Sequence, residues 1–288
     1  MRAVRKPRKR QRREELYLIP LAVGMLCASL FCFVRTMAER MWGLDLALIS
    51  LSMLAVCIFH YFCGIDKRKQ YVVASIFLLG ICLTLPSHDL WAALLSTLCF
   101  IGALMPLFHS FHSHNCENKL FLSGFFVGVG GLFCGVFLWT IPLFLMGIYI
   151  LRCLSLHVLV AFSLGIVLPF WLALGGCLFL EDWTLLADSL SSVISFAPLL
   201  MRSVSLQEVL VGLSSVPLLF FMSVNFAVRY PKELFRHRAY LTFLLIAMLY
   251  VASLACLFTP YAIHFCLVGM VPFSCLLAFA LCALGGKR

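Results

Sequence analysis

Long stretches without any charged side chain dominate this sequence of 288 residues. One of them, Leu120–Leu151, continues for 32 residues without Asp, Glu, Lys or Arg. A membrane crossing needs about 20 mostly apolar residues, and a helix satisfies its own backbone hydrogen bonds in hydrocarbon. Because 63% of the chain is hydrophobic and only 12% is charged, a soluble globular domain is excluded. The sequence predicts an all-α polytopic transmembrane bundle.

Charged and turn-forming residues divide the chain into apolar runs of helical length. Leu120–Leu151 is too long for one upright span and short for two, and its first half is rich in glycine. We predict a helical hairpin there, turning near Phe133–Gly135, which brings the total to about ten spans in one transmembrane domain, residues 16–284. The other predicted helices are Leu16–Val34, Leu44–Cys63, Tyr71–Leu85, Leu90–Phe108, Leu154–Leu180, Val209–Val228, Tyr240–Thr259 and Ala262–Leu284.

The distribution of Lys and Arg supports the hairpin. With two crossings in Leu120–Leu151, 19 of the 22 basic residues fall on one side of the membrane and 3 on the other. With one crossing, the division becomes 13 to 9. Cytoplasmic loops carry the excess of Lys and Arg. The first division therefore predicts that both termini, the basic tail 1–15 and the basic end 285–288, are cytoplasmic.

The N-terminal tail carries eight basic residues before Glu14 and continues directly into Leu16–Val34. That run lacks a small-residue cleavage site, so we interpret it as an uncleaved signal anchor in a bacterial inner membrane. The tail has no aromatic residues on which bases could stack, which argues against nucleic acid as a partner. Anionic lipid is its expected partner, with other membrane proteins as further partners of the chain.

The segment Trp183–Met201 is nearly long enough to span but carries Asp188 and several serines. A crossing there would reverse the side of every later basic residue. We therefore predict a helix lying in the outer interface. Its apolar face consists of Leu185, Leu186, Leu190, Val193, Ile194 and Ala197, with Asp188, Ser191, Ser192 and Ser195 elsewhere.

Carboxylates gather on the predicted outer side. Such groups can hold a divalent cation or act as a general base on a lipid-linked substrate, and Asp45, Glu181 and Asp182 are the candidate catalytic residues. Two alternatives stay open: the positive-inside rule by itself leaves acids outside, and Asp45 suits a helix N-terminus. The seven acids are Glu39, Asp45, Asp89, Glu181, Asp182, Asp188 and Glu208.

Potential metal ligands occur in the string His109, His112, His114 and Cys116, but their spacing matches no zinc motif. A polar loop explains them equally, and we expect neither metal nor cofactor. The fourteen cysteines lie mostly inside apolar runs, without any CxxC, and are interpreted as packing residues. We expect no disulfide among them.

A pattern of glycines, prolines, aromatic and charged residues runs from Leu120 to Trp183 and continues at Pro272 and Ser274. This pattern resembles an uncharacterised family of multi-pass bacterial inner-membrane proteins. A fainter resemblance, from the Gly-x-x-x-Gly run before a hairpin, is to polyprenyl-phosphate-sugar-dependent membrane glycosyltransferases, which place acids after their first span. The residues that carry the first resemblance are Leu120, Gly124, Gly128, Trp139, Pro142, Tyr149, Arg152, Leu164, Gly165, Pro169, Glu181, Asp182, Trp183, Pro272 and Ser274.

Three functions compete at this point. A non-catalytic envelope-assembly or scaffold subunit comes first, because no catalytic constellation is visible. An enzyme that acts on a lipid-linked sugar at the outer face comes second. A transporter or flippase comes third, since the predicted spans lack the central charges that ion coupling needs, although proline breaks at Pro142, Pro169, Pro217 or Pro272 would suit a substrate site.

The division of basic residues makes the topology testable. Reporter fusions placed after Arg152 and after Arg238 should both give cytoplasmic activity, because each follows an even number of predicted crossings. A fusion after Arg202 should give the external signal and serves as the control. An external signal at Arg152 or Arg238 would exclude the ten-span topology.

Overall fold

A computed structural model describes residues 43–62, 77, 90–111, 116–180, 183–194 and 235–285. The described chain is helical, as predicted, and its elements are joined by short turns. The elements are α1 Gly43–Phe62, α2 Leu90–His109, α3 Cys116–Phe133, a 3₁₀ helix Gly135–Thr140, α4 Ile141–Ile150, α5 Leu156–Leu180, α6 Thr184–Ile194, α7 Phe235–Leu257, a 3₁₀ turn Thr259–Tyr261, and α8 Ala262–Gly285.

Three of the described helices are long and apolar enough to cross a membrane. They contain Trp91–His109 in α2, Leu156–Phe179 in α5 and Arg238–Leu257 in α7. The predicted runs Leu16–Val34 and Val209–Val228, and all but Phe77 of Tyr71–Leu85, lie outside the described residues. The structure thus supports a membrane-spanning helical protein, and the count of ten stays a prediction.

The chain folds back between α3 and α4, where the hairpin was predicted. Helix α3 ends at Phe133, and the 3₁₀ helix that begins the return starts at Gly135. At the closed end, a Cβ on Gly130 would lie 2.6 Å from the Phe137 ring. At the open end, the Sγ atoms of Cys116 and Cys153 are 3.8 Å apart. The two arms are therefore antiparallel over their whole length.

Glycines allow α3 to pack directly on the backbone of α5. A Cβ on Gly124 would overlap the carbonyl oxygen of Phe162, and one on Gly128 would overlap that of Ile166. In the opposite direction, a Cβ on Gly165 would overlap the carbonyl oxygen of Phe121. Small residues four apart permit this close approach in membrane helices. The Gly124-x-x-x-Gly128 pattern is thus a helix-packing motif.

Helix α2 occupies the centre and packs against α1, α3 and α8. Its Phe100 ring is fully buried and meets Phe137 and Phe144 of the return arm edge to face, with centroids 6.4 and 5.8 Å away. Edge-to-face contacts of this kind stabilise aromatic pairs beyond the area that they bury. The hairpin is therefore held on α2 as well as on α5.

Aromatic contacts fix the direction of the remaining helices. Phe108, near the end of α2, stacks on Phe59 near the end of α1 and on Tyr240 near the start of α7, with centroids 5.6 and 4.5 Å away. Helices α1 and α2 are therefore parallel. At the opposite end, Phe258, just after α7, contacts Trp139 and also Phe265 in the first turns of α8. The chain therefore reverses direction between α7 and α8.

These directions define two ends of the bundle. The hairpin end contains the turn Cys134–Thr140 and the starts of α1 and α2, and the basic end contains the starts of α3 and α7. Phe62 and Leu90 lie at opposite ends, as do Leu180 and Phe235, and the crossings between them stay predictions. The four basic residues of the described chain all lie at the basic end: Lys119, Arg152, Arg236 and Arg238.

Two sequence expectations need correction. Helix α7 begins at Phe235 rather than Tyr240, because its first turn can extend beyond the apolar run and keep its charged residues at the basic end. Pro169 and Pro272 were considered as helix breaks, yet α5 and α8 continue through them. Pro142 lies in the first turn of α4, where a missing N–H costs little. Pro217 lies outside the described residues.

Replacing Gly128 or Gly165 by Ala should destabilise the protein by about 1–3 kcal/mol each, because the added methyl must push two helix backbones apart. Gly176→Ala is the matched control in α5, since a Cβ there meets nothing within 4 Å. The free energy of unfolding in detergent micelles measures the difference. Equal stability of Gly128→Ala, Gly165→Ala and Gly176→Ala would contradict the packing described above.

Candidate functional site

The described elements that adjoin the three predicted catalytic acids in sequence have their nearest termini at the hairpin end. Asp45 lies in the first turn of α1, although its side chain is outside the described residues, as are Glu181 and Asp182. The latter two join Leu180, the last residue of α5, to Trp183, which precedes α6. The described backbone therefore places the first turn of α1 and the α5–α6 junction at one end of the bundle. A shared site of these acids stays a prediction.

Helix α6 lies against the turn of the hairpin. The Ser189 hydroxyl is buried and donates a hydrogen bond to the carbonyl oxygen of Gly131, at 2.8 Å. A Cβ on Gly135 would overlap the carbonyl oxygen of Ser189. The Trp139 indole N–H donates to the carbonyl oxygen of Val193 at 3.2 Å. Eleven helical residues extend about 16 Å, too short to cross a membrane.

The predicted apolar face of α6 does not as a whole pack against the protein. Leu186 and Ser189 are buried, whereas Leu190 and Ile194 are 53% and 82% exposed. Ser189 faces inward because Gly131 and Gly135 offer it backbone and no side chain. The exposed leucine and isoleucine leave an apolar face on the outside of the described helices, and the interfacial position of α6 stays a prediction.

Aromatic side chains with polar tips surround the hairpin end. Trp91, Trp139 and Trp183 are each roughly half exposed there. The Tyr250 hydroxyl donates a 2.8 Å hydrogen bond to the carbonyl oxygen of Trp139, which ties α7 to the hairpin. Trp is enriched where a membrane meets water. This belt marks the hairpin end as a candidate membrane–water boundary.

The buried hydroxyls of the described bundle are hydrogen-bonded to the backbone. In the described residues each donates to a backbone carbonyl, as Ser123 does to Ala103 at 2.9 Å and Tyr240 to Phe108 at 2.8 Å. The others, all 2.6–2.9 Å from their acceptors, are Ser52, Ser96, Thr97, Ser110, Thr140, Ser189 and Ser274.

Of the histidine string, the structure describes only His109 and Cys116. His109 is exposed, and its carbonyl accepts a 2.9 Å hydrogen bond from Lys119 Nζ, while His112 and His114 lie outside the described chain. Cys116 instead meets Cys153. No set of three or more His, Cys, Asp or Glu side chains is placed to hold a metal in the part of the chain that the structure describes.

Cys153 was missed as a partner of Cys116 because the two are 37 residues apart. The predicted hairpin carried the necessary signal, since a chain that turns near Phe133–Gly135 must return to the level of Cys116 at about Cys153. Counting residues outward from the turn would have paired them.

Comparison of the chain with protein-family models, with curated proteins and with solved structures finds no match. The resemblances to inner-membrane proteins and to membrane glycosyltransferases therefore stay predictions. Function has to be argued from the residues themselves.

Replacing Ser189 by Ala should loosen α6, because the Gly131 carbonyl loses its hydroxyl donor. The loss of one such bond costs about 1 kcal/mol, which corresponds to roughly fivefold faster amide hydrogen exchange in α6. Ser253→Ala is the control, since its exposed hydroxyl bonds only to Tyr250 in its own helix, at 2.6 Å. Unchanged exchange in α6 for Ser189→Ala would show that the hydrogen bond does not hold it.

Proposed function

We propose that this chain is a non-catalytic scaffold subunit of a bacterial inner membrane, used in envelope assembly. The observation that carries the proposal is the use of the buried hydroxyls. All of those in the described interior donate to backbone carbonyls, and those of Ser123, Ser189 and Tyr240 join different elements, which supports an interior used for helix packing.

The proposed topology has ten spans, with the basic end in the cytoplasm and the hairpin end outside. Its support is the clustering of Lys119, Arg152, Arg236 and Arg238 at one end and the belt of Trp residues at the other. In this orientation, α6 lies in the outer interface and buries Leu190 and Ile194 in lipid. The basic tail 1–15 would then meet anionic lipid on the cytoplasmic side.

A scaffold needs a surface to present within the membrane, and α5 supplies one. Trp171 and Phe179 are 70% and 88% exposed, and Leu172 is exposed beside them. A Cβ on Gly175 or Gly176 would meet nothing within 4 Å. Small residues such as these glycines let a second helix approach closely, and packing between membrane helices depends on that approach. This face therefore suits a helix of a neighbouring membrane protein.

The second candidate is an enzyme acting on a lipid-linked sugar at the outer face. The observation that favours it is the placement of the first turn of α1, which contains Asp45, at the same end as the α5–α6 junction, which contains Glu181 and Asp182. Acids at that level would ionise in water and still reach a lipid headgroup. A transporter has less support, because no Asp, Glu, Lys or Arg lies midway along α2, α5 or α7, the described helices that are long and apolar enough to span a membrane.

The scaffold and the enzyme predict opposite results for one variant. Asp45→Asn, Glu181→Gln and Asp182→Asn together preserve shape and remove charge, so a scaffold should retain the cellular phenotype of the wild type. Expression and membrane insertion, checked by immunoblotting of membrane fractions, should equal the wild type in either case. Loss of the phenotype at normal expression would favour the enzyme.

A photo-crosslinking amino acid at Leu172 tests the scaffold directly, because that side chain faces outward from α5. The expected result is a discrete adduct with another membrane protein in intact cells. The same amino acid at Phe162, whose side chain is buried against α3, should give no intermolecular adduct. Adducts with lipid alone at Leu172 would count against the scaffold.

A further inference from the structure

Two thiols meet at the basic end, where the open end of the hairpin lies. Cys116 is the first residue of α3, and Cys153 follows the end of α4. Their Sγ atoms are 3.8 Å apart, and both side chains are half-buried thiols in this structure. The contact joins the two arms of the hairpin across 37 residues of sequence. It does not depend on the proposed scaffold role.

The backbone that positions Cys153 has an unusual conformation. Arg152 has a φ of 57°, in the left-handed region where glycine is the usual residue. Its N–H donates to the carbonyl of Tyr149 at 3.0 Å, and the N–H of Cys153 donates to that of Ile148 at 3.1 Å. This pair of hydrogen bonds is the Schellman motif, which ends α4. The motif fixes the direction in which the chain leaves α4 and so places Cys153.

A third element holds both sulfurs in place. The carbonyl oxygen of Ser110, just after α2, accepts from Cys116 Sγ at 3.3 Å and from Cys153 Sγ at 3.4 Å. Ser110 is fully buried, and its own hydroxyl donates to the carbonyl of Leu107 at 2.6 Å. The pairing therefore rests on three separate segments of the chain. Packing cysteines in an apolar run would need no shared acceptor of this kind.

We propose that Cys116 and Cys153 form a reversible dithiol–disulfide pair. One thiolate attacks a low-molecular-weight disulfide, forming a mixed disulfide and releasing one small thiol. The second thiolate then attacks the protein sulfur of that mixed disulfide and releases the second small thiol. Two protein thiols are oxidised and one small disulfide is reduced to two thiols. A disulfide requires about 2.05 Å between the sulfurs, within reach of side-chain rotation from 3.8 Å.

The bond would close the hairpin covalently at the end opposite its turn. The turn is already held by α6 through Ser189, whereas the open end depends on the Schellman motif and the Ser110 carbonyl. Oxidation would convert residues 116–153 into a ring and prevent α3 and α4 from separating at the basic end. In the proposed orientation the basic end faces the cytosol, where disulfides are usually transient and redox-sensing, and this matches a pair that is reduced at rest.

The experiment treats the purified full chain, in detergent, with oxidised glutathione and maps disulfides by mass spectrometry without reduction. The expected major product is a Cys116–Cys153 crosslink that dithiothreitol reverses. Cys153→Ser should instead leave a glutathione adduct on Cys116. Cys57→Ser, which changes a half-buried thiol within α1, should leave the crosslink unaffected.

Recovery of separate glutathione adducts on Cys116 and Cys153 in the wild type, or of both thiols unmodified, would overturn the proposal. So would a crosslink from either residue to a different cysteine as the major product. A second measurement keeps the test valid if a variant folds poorly. Oxidation should raise the melting temperature of the wild type and leave that of Cys116→Ser/Cys153→Ser unchanged. An equal rise in both would place the reactive thiols elsewhere.

Discussion

The backbone contact between α3 and α5 is the interaction on which the rest of the bundle depends. Inside a membrane, apolar side chains gain nothing by leaving lipid for protein, so helices associate through close packing and hydrogen bonds. Gly124, Gly128 and Gly165 remove the side chains that would keep the two backbones apart. Once α3 is held on α5, its return arm faces α2 and α7, and the positions of both follow.

Three hydrogen bonds from side-chain hydroxyls also join elements of the bundle. The Ser123 hydroxyl joins α3 to α2, the Tyr240 hydroxyl joins α7 to α2, and the Ser189 hydroxyl joins α6 to the hairpin turn. Each bond crosses between elements and satisfies a group that lipid cannot solvate.

Apolar runs predicted helix positions well, as at Leu90–His109. The reason is that residues inside a bilayer must be apolar, so that polar and charged residues mark where a helix leaves the lipid. The hairpin turn was also predictable, from its glycines and from charge parity. The burial of Ser189 was not predictable. Its hydrogen-bond acceptor is the backbone carbonyl of Gly131, and the polarity of a serine in a sequence does not indicate which backbone carbonyl it contacts. Of the predicted acids, Asp45 could be assigned to an end of the bundle, but sequence patterns contain no distance from it to Glu181.

The 3₁₀ helix in the return arm also bears on how well the hairpin matches a bilayer. Helix α3 has 18 residues and extends about 27 Å at 1.5 Å each. The return arm has fewer, 6 in the 3₁₀ helix and 10 in α4, but a 3₁₀ helix rises about 2.0 Å per residue, which brings this arm to about 27 Å as well. Wound as α-helix throughout, it would be about 3 Å shorter and leave a hydrophobic mismatch at one surface. Local overwinding thus equalises two arms of unequal sequence length.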